Sequence, residues 1–230
     1  MAGGMMGKYV SGRVESVDRI ARRMRRILIS GPELRDVPWT PGQQVGVRVG
    51  EPGRGPVRTY SLWDRRDDTV ELCVLDHSGN GPGARWSRSA RPGQEVVFSK
   101  PEGKLVPHSA PYHVFVGEET AMVAFGPMLR ALPEGSGVFG VLEVDHPDDR
   151  LPLGERITWR YRDGAPAAAS AALVAAVGDL DLPAEPGVAY VAGEVRTVQA
   201  ARKHFVKDRG WPRRSVVTKP FWMPGREGMD

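Results

Sequence analysis

The chain of 230 residues has a single cysteine, Cys73, so no internal disulfide can form, and the apolar setting of that thiol in VELCVLD reads as a buried, inert side chain. No uninterrupted apolar run approaches the roughly 18 residues that a membrane-spanning helix needs. The opening MAGGMMGKYVSGR lacks the apolar core of a signal peptide. A cytoplasmic protein with no membrane partner is therefore expected. Aromatics are sparse, at 7% of residues, and none interleaves with the densest basic run, ARRMRRILIS. Without rings for base stacking that run reads as a strand with one solvated face, and nucleic acid is not the expected partner. The five histidines are scattered, without ligand-like spacing to cysteine or carboxylates, so no resident metal site is expected. No catalytic acid pair or activated nucleophile stands out either.

What is abundant is punctuation. With 28 Gly and 20 Pro beside a hydrophobic fraction of 40% and a charged fraction of 26%, the chain is a globular protein of many turns and short strands, not a helical bundle. Its length suits two small domains. Formal charge is +4 and the sequence pI about 9.4, a basic excess that would attract an anionic small molecule.

Two halves differ in grammar. Over residues 8–108 short β-type runs, KYVSGRVESV, MRRILIS, QQVGVRV, RTYSLW, TVELCVL and QEVVFS, are separated by Gly, Pro and Asp clusters, which predicts a small antiparallel barrel. Over residues 109–230 apolar strands alternate with helix-like segments, which predicts a parallel sheet with both faces covered. HVFVGEETAMVAFGPMLRALP and VAYVAGEVRTVQAARKHFVKDRG each run strand, Gly-Glu turn, amphipathic segment. Between them VFGVLEV and RITWRY read as strands and the Ala-rich APAAASAALVAAVGDL favours helix. SVVTK is the predicted last strand, followed by an aromatic tail, PFWMPG.

Three features carry chemistry. In GPVRTYSLWD, strand alternation puts Arg58 and Tyr60 on one face and Ser61 on the other. A guanidinium grips phosphate bidentately and a phenol ring lies against a planar heterocycle, although the same triplet describes a cross-strand pair with no ligand. In LDHSGNGPGARWSRSARPG, Gly79, Gly81 and Gly83 precede Ala84 and a helical turn carrying Trp86. Small residues there let backbone amides and a helix start approach a diphosphate, or simply make a flexible turn. In VGEETA, Gly117 ends a strand and the Thr120 hydroxyl stands where helix-start amides gather, as cap or ligand contact. Gly193 and Glu194 occupy the second copy of that turn, at the strand end where open α/β sheets bind ligands.

The ordered set RTYS, DHSGNGPGARW, RPGQEVVFSKPEG, FVGEETA, YVAGE and FWMPG resembles the siderophore-interacting proteins, a branch of the ferredoxin-reductase-like flavoenzymes, from about residue 10 to 226. The resemblance implies a β barrel plus α/β fold: an antiparallel FAD-binding barrel, then a parallel-sheet NAD(P)-binding domain. It implies that Arg58 holds the FAD phosphate region, that Tyr60 packs on the flavin, and that Ser61 bonds near N5. His77 falls at a family position in the flavin loop, while Gly81, Pro82, Gly83 and Ala84 present amides to the diphosphate. Gly117 and Thr120 would lie beside flavin and nicotinamide, with Gly193 and Glu194 in the matching turn. Trp222 would cover flavin or cofactor, or only pack the tail; Lys219 would meet an anionic substrate, or stand solvated.

Two departures bear on substrate. Trp63 stands where the family commonly has Arg, and the usual aromatic-Trp-Arg-x-Gly of the tail is FWMPG, with Phe221 for Tyr and Met223 for Arg. No G-x-G-x-x-G fingerprint occurs, so binding of NADH or NADPH rests on the resemblance alone. The activity it implies is FAD-dependent reduction, by NADH or NADPH, of the ferric iron in a siderophore, whose hard oxygen ligands hold Fe(III) best and release Fe(II). The alternatives are a flavin reductase acting on an organic substrate in secondary metabolism and a non-enzymatic module binding a ferric chelate or nucleic acid.

Overall fold

The computed structural model describes residues 8–50 and 55–226. The chain divides into two compact units, Met1–Val106 and Pro107–Asp230.

In the first unit β1 (Tyr9–Ala21), β2 (Met24–Ser30), β3 (Gln44–Arg48), β4 (Val57–Arg66), β5 (Thr69–Leu75) and β6 (Glu95–Ser99) close an antiparallel barrel in the order β1-β2-β5-β4-β3-β6. Each of the six β-type runs read from the sequence supplies one strand. Alternation explains the closure: Val45 and Val47 of β3, Val96 and Phe98 of β6, and Ile27 and Ile29 of β2 all turn inward and are buried. The long β1 serves two neighbours, pairing Tyr9–Arg13 with β6 and residues from Arg13 onward with β2. The basic run is β2 as read. Arg25 reaches Asp76 and Arg26 reaches Asp18, each at 3.1 Å, and Cys73 is a buried thiol in β5. The helix α1 (Pro82–Ser89) leads back to β6, and its Trp86 joins the barrel core.

In the second unit β7 (Tyr112–Glu118), β8 (Gly137–Val144), β9 (Thr158–Tyr161), β10 (Val188–Glu194) and β11 (Val216–Trp222) form one parallel sheet, ordered β11-β10-β7-β8-β9. The helices α2 (Glu119–Arg130), α3 (Ala171–Gly178) and α4 (Val195–Lys203) connect the strands. Every residue of the central β7 is buried, as a parallel strand covered on both faces requires. The last strand runs further than SVVTK: Pro220, Phe221 and Trp222 belong to β11, so the predicted aromatic tail begins inside the sheet. A proline is admitted because β11 is an edge strand, and the ladder shifts register beside it, between Gly193 and Glu194. Among the described residues no helix is long and apolar enough to cross a membrane.

Candidate functional site

The barrel unit brings Arg58, Tyr60, Gly83 and Ala84 together. β4 and β3 pair with Tyr60 opposite Val45 and Ser61 opposite Gln44, so Arg58 and Tyr60 share the face that α1 approaches. There a Cβ on Gly83 would stand 2.6 Å from the Tyr60 hydroxyl and 3.4 Å from Arg58 Cγ, and only glycine lets the helix start come this close. The N-cap of α1 is Gly81, which offers no capping side chain, and Pro82 has no amide hydrogen to satisfy. The amides of Gly83 and Ala84 thus face outward from a helix start that no side chain neutralises. Trp86 packs on the Tyr60 ring with centroids 5.5 Å apart. Burial pushes the Tyr60 phenol up, partly offset by Arg58, so it stays neutral. Ser61, 8% exposed, makes no hydrogen bond through its hydroxyl among the described residues.

The glycine loop is not slack. His77 Nδ1 accepts the Gly79 amide at 3.0 Å. Arg88 donates from Nε to the Ala84 carbonyl at 3.1 Å and from its terminal nitrogen to the Gly79 carbonyl, while Arg85 donates to the Asn80 carbonyl. Burial, then the Arg88 charge, pushes His77 below the usual imidazole range, consistent with a neutral ring accepting at Nδ1. His77 therefore shapes the loop. Trp63 is buried at a register shift between Leu62 and Asp64, so the position lacking the family's arginine is filled by a buried ring.

The sheet unit holds a row of buried carboxylates, of which the sequence singles out only Glu194. Glu118, Glu119, Glu143 and Glu194 stand at the C-terminal ends of β7, β8 and β10, each at most 2% exposed. Glu118, not Thr120, caps α2: its Oε2 accepts the Thr120 amide at 2.9 Å, and its Oε1 accepts the Thr120 hydroxyl at 2.5 Å and the Trp222 indole N–H at 3.0 Å. Glu194 caps α4, its Oε2 accepting the amides of Ala169, Arg196 and Thr197 and the Thr197 hydroxyl, while its Oε1 is buried without a partner. Glu119 is gripped by both terminal nitrogens of Arg162, at 2.9 and 2.5 Å, and Glu143 accepts the Ser170 hydroxyl at 2.8 Å.

Their charge states differ by surroundings. Burial, then the neighbouring Glu119, pushes Glu118 up to about 7 against the donors Thr120 and Trp222. Burial pushes Glu194 up as well, but its amide and hydroxyl donors outweigh it and hold the carboxylate below the usual range. Glu143 is raised, again mainly by burial. Among the described residues no three His, Cys, Asp or Glu side chains are placed to hold a metal ion.

Gly117 and Gly193 permit this packing. A Cβ on Gly193, at φ +122°, would collide with the Glu118 carboxylate, and one on Gly117 with Ala121 and the Ala192 carbonyl. Trp222 pairs with Glu194 across β10 and β11, so both Gly-Glu turns and the tail meet at one sheet edge. Lys219, paired with Ala192, is half-buried and has no partner among the described residues. The Glu-Glu of GEET, an acid pair closing an apolar strand, was the visible signal for Glu118 and Glu119; nothing in RYRDG announced Arg162 as their counter-ion.

A closed antiparallel barrel followed by a five-stranded parallel sheet is the ferredoxin-reductase-like fold. The phthalate dioxygenase reductase, described as a modular structure for electron transfer from pyridine nucleotides to [2Fe-2S], aligns over 93% of this chain and 68% of its own with TM-score 0.69 and 20% identity. The chain belongs to the siderophore-interacting protein family: the family profile "Siderophore-interacting protein" matches residues 110–225 and "Siderophore-interacting FAD-binding domain" matches residues 43–105. It is thus a flavin oxidoreductase of that family, with FAD as its cofactor. It is similar to the ferric vibriobactin reductase ViuB of Vibrio cholerae, 27% identical over 90% of this chain and 86% of that one. The siderophore-interacting protein SipS from Aeromonas hydrophila has the same fold, with TM-score 0.83 and 24% identity over 96% of this chain and 93% of its own.

Proposed function

We propose that the chain takes electrons from NADH or NADPH and delivers them through FAD to the ferric iron of a siderophore. Residues 8–108 hold the flavin and residues 109–230 receive the nicotinamide coenzyme. The observation that carries the reading is the barrel cradle, where Gly83 and the uncapped start of α1 meet Arg58 and Tyr60 at van der Waals range. It fits a diphosphate with an attached ring system: amides and guanidinium for the anion, a buried phenol for the ring.

When bound, FAD supplies two-electron uptake from the nicotinamide and one-electron release to iron. The residues position and exclude. Arg58 and the amides of Gly83 and Ala84 bind phosphate, with Gly81 and Pro82 leaving the helix start open. Tyr60, braced by Trp86, presents a flat neutral face, and Ser61 offers a hydroxyl that no group among the described residues uses. His77 keeps the glycine loop folded. On the sheet, Glu118 and Glu194 occupy the helix starts that would otherwise attract a diphosphate, so the coenzyme meets carboxylates there. The unpartnered Glu194 Oε1 is an acceptor for its amide or hydroxyl hydrogens, Gly117 and Gly193 keep the edge low, and Trp222 is held in place by Glu118. Lys219, whose side chain has no partner among the described residues, would meet an anionic chelate.

Support for the substrate comes from the likeness to ViuB, named a ferric vibriobactin reductase. A second reading keeps the flavin and replaces iron by an organic acceptor; it is favoured by Trp63 being buried and by Met223 standing in place of a cation. Anaerobic flavin absorbance separates them. NADH or NADPH should bleach the bound flavin and a ferric siderophore should restore its colour. Bleaching without restoration by iron leaves the second reading, and a protein that never takes up FAD defeats both.

A further inference from the structure

Near the N-terminal ends of the parallel strands lies a groove of about 190 Å³ lined by Gln199, Arg202, Lys203, Val206, Lys207 and Arg213. α4 leaves the C-terminal end of β10 and runs back along the sheet, so its last turn and the loop into β11 stand opposite the glutamate row. Gln199, Arg202, Lys203, Val206 and Lys207 recur at helical spacing and make one stripe. Arg213 is brought to it from outside the helix. A π turn over His204–Asp208 and a buried Trp211, packed on Phe205 at 4.9 Å and donating its amide to the Phe205 carbonyl, fold the chain back to that point.

The four cations are uncompensated. None of Arg202, Lys203, Lys207 and Arg213 has an ion pair or hydrogen bond through its side chain among the described residues, and the nearby acid, Asp208, is committed to His204 at 3.3 Å. The helix dipole favours positive charge at the C-terminal turn, which accounts for Arg202 and Lys203. It does not account for Lys207, four residues from Lys203 with like charge, nor for Arg213. Several other surface arginines do stand against acids, among them Arg25, Arg26 and Arg66. The groove has a small apolar floor from Val206 and the side-chain stems, and it is smaller than the 300–1,000 Å³ or so of a pocket enclosing a drug-sized molecule. It suits a compact ligand of high charge, and the two guanidinium forks suit phosphate oxygens.

We propose that this groove binds a compact soluble oligophosphate, of the pyrophosphate or triphosphate class, at a site separate from the sheet edge that carries the glutamates. The probe is inorganic tripolyphosphate, titrated calorimetrically into the full chain at low ionic strength with FAD in excess, so that the barrel cradle is filled. One saturable site is expected, weakened by added chloride, and by about tenfold or more for each cation removed in the Lys203→Gln, Lys207→Gln and Arg213→Gln variants. All three positions are exposed, and the control pair Lys8→Gln with Lys104→Gln, which removes two charges against one in each groove variant, should leave binding within twofold. Absence of saturable binding overturns the proposal. So does equal weakening by the control pair, which would mean a response to net charge alone. A short DNA duplex bound through the same lysines while tripolyphosphate is not bound would assign the groove to nucleic acid instead. None of these outcomes depends on whether NADH or a siderophore reacts.

Discussion

Gly83 and Glu118 are single positions at which this protein can be tested. A Cβ at 83 would press on the Tyr60 hydroxyl and Arg58 at the part-exposed start of α1, so Gly83→Ala should fold normally yet weaken FAD by about tenfold or more, a loss of order 1–2 kcal/mol in a bound phosphate site. Equal FAD affinity by fluorescence titration would move the flavin away from α1. For Glu118 the sign follows from a folded pKa of about 7 against an ordinary carboxyl near 4.5. The folded state holds the proton more tightly, so the contribution is complete below about pH 4.5 and is lost as pH rises through 7. Glu118→Gln should remove that loss, gaining melting temperature relative to the parent at pH 8 and little or nothing at pH 5. A parallel shift at both pH values would show that Glu118 is ionised throughout.

Elements set the next scale, and the loop leading into α1 is the one whose order matters most. Its backbone carbonyls are gathered by Arg88 and Arg85, and its turn by His77. Arg88→Ala should leave the barrel's denaturation midpoint nearly unchanged while speeding amide exchange across residues 77–84 and weakening FAD several-fold; unaltered exchange there would mean that the glycines hold their shape unaided. The strand ends of the sheet depend on Arg162, whose side chain is 7% exposed and grips Glu119. Arg162→Met leaves that carboxylate buried without its cation, and such changes cost about 3–5 kcal/mol. The double variant Arg162→Met with Glu119→Leu should recover most of the loss. Failure of that rescue in urea denaturation would assign the role of Arg162 to packing.

At the scale of the molecule, all residues proposed to hold the flavin lie in the first unit and all those proposed to meet the coenzyme lie in the second. Saturating FAD at about 100 times its dissociation constant stabilises whatever binds it by about 2.7 kcal/mol. Hydrogen exchange should therefore slow first in the strands and loop around residues 57–62 and 79–86, and protection confined to residues 112–222 would contradict the assignment.

The alternation of each β-type run, the change of grammar near residue 108 and the glycine loop were legible in the sequence because they are local. Period-2 burial, turn residues and small side chains act on the few residues around them, and so Arg58, Tyr60, Ser61 and Gly83 could be singled out with no structure. The tail was misjudged for the same reason: Pro220 suggests a strand's end, and only its place on the outer edge, with no neighbour to need its amide, lets β11 continue to Trp222. Tertiary structure alone assembled the glutamate row, since β7 and β10 are distant in sequence and adjacent in the sheet. Whether a carboxyl there is charged depends on what the fold removes from water and which donors it brings. Arg162 from beyond β9, the Trp222 indole from β11 and the Ala169 amide before α3 reach those acids only through folding.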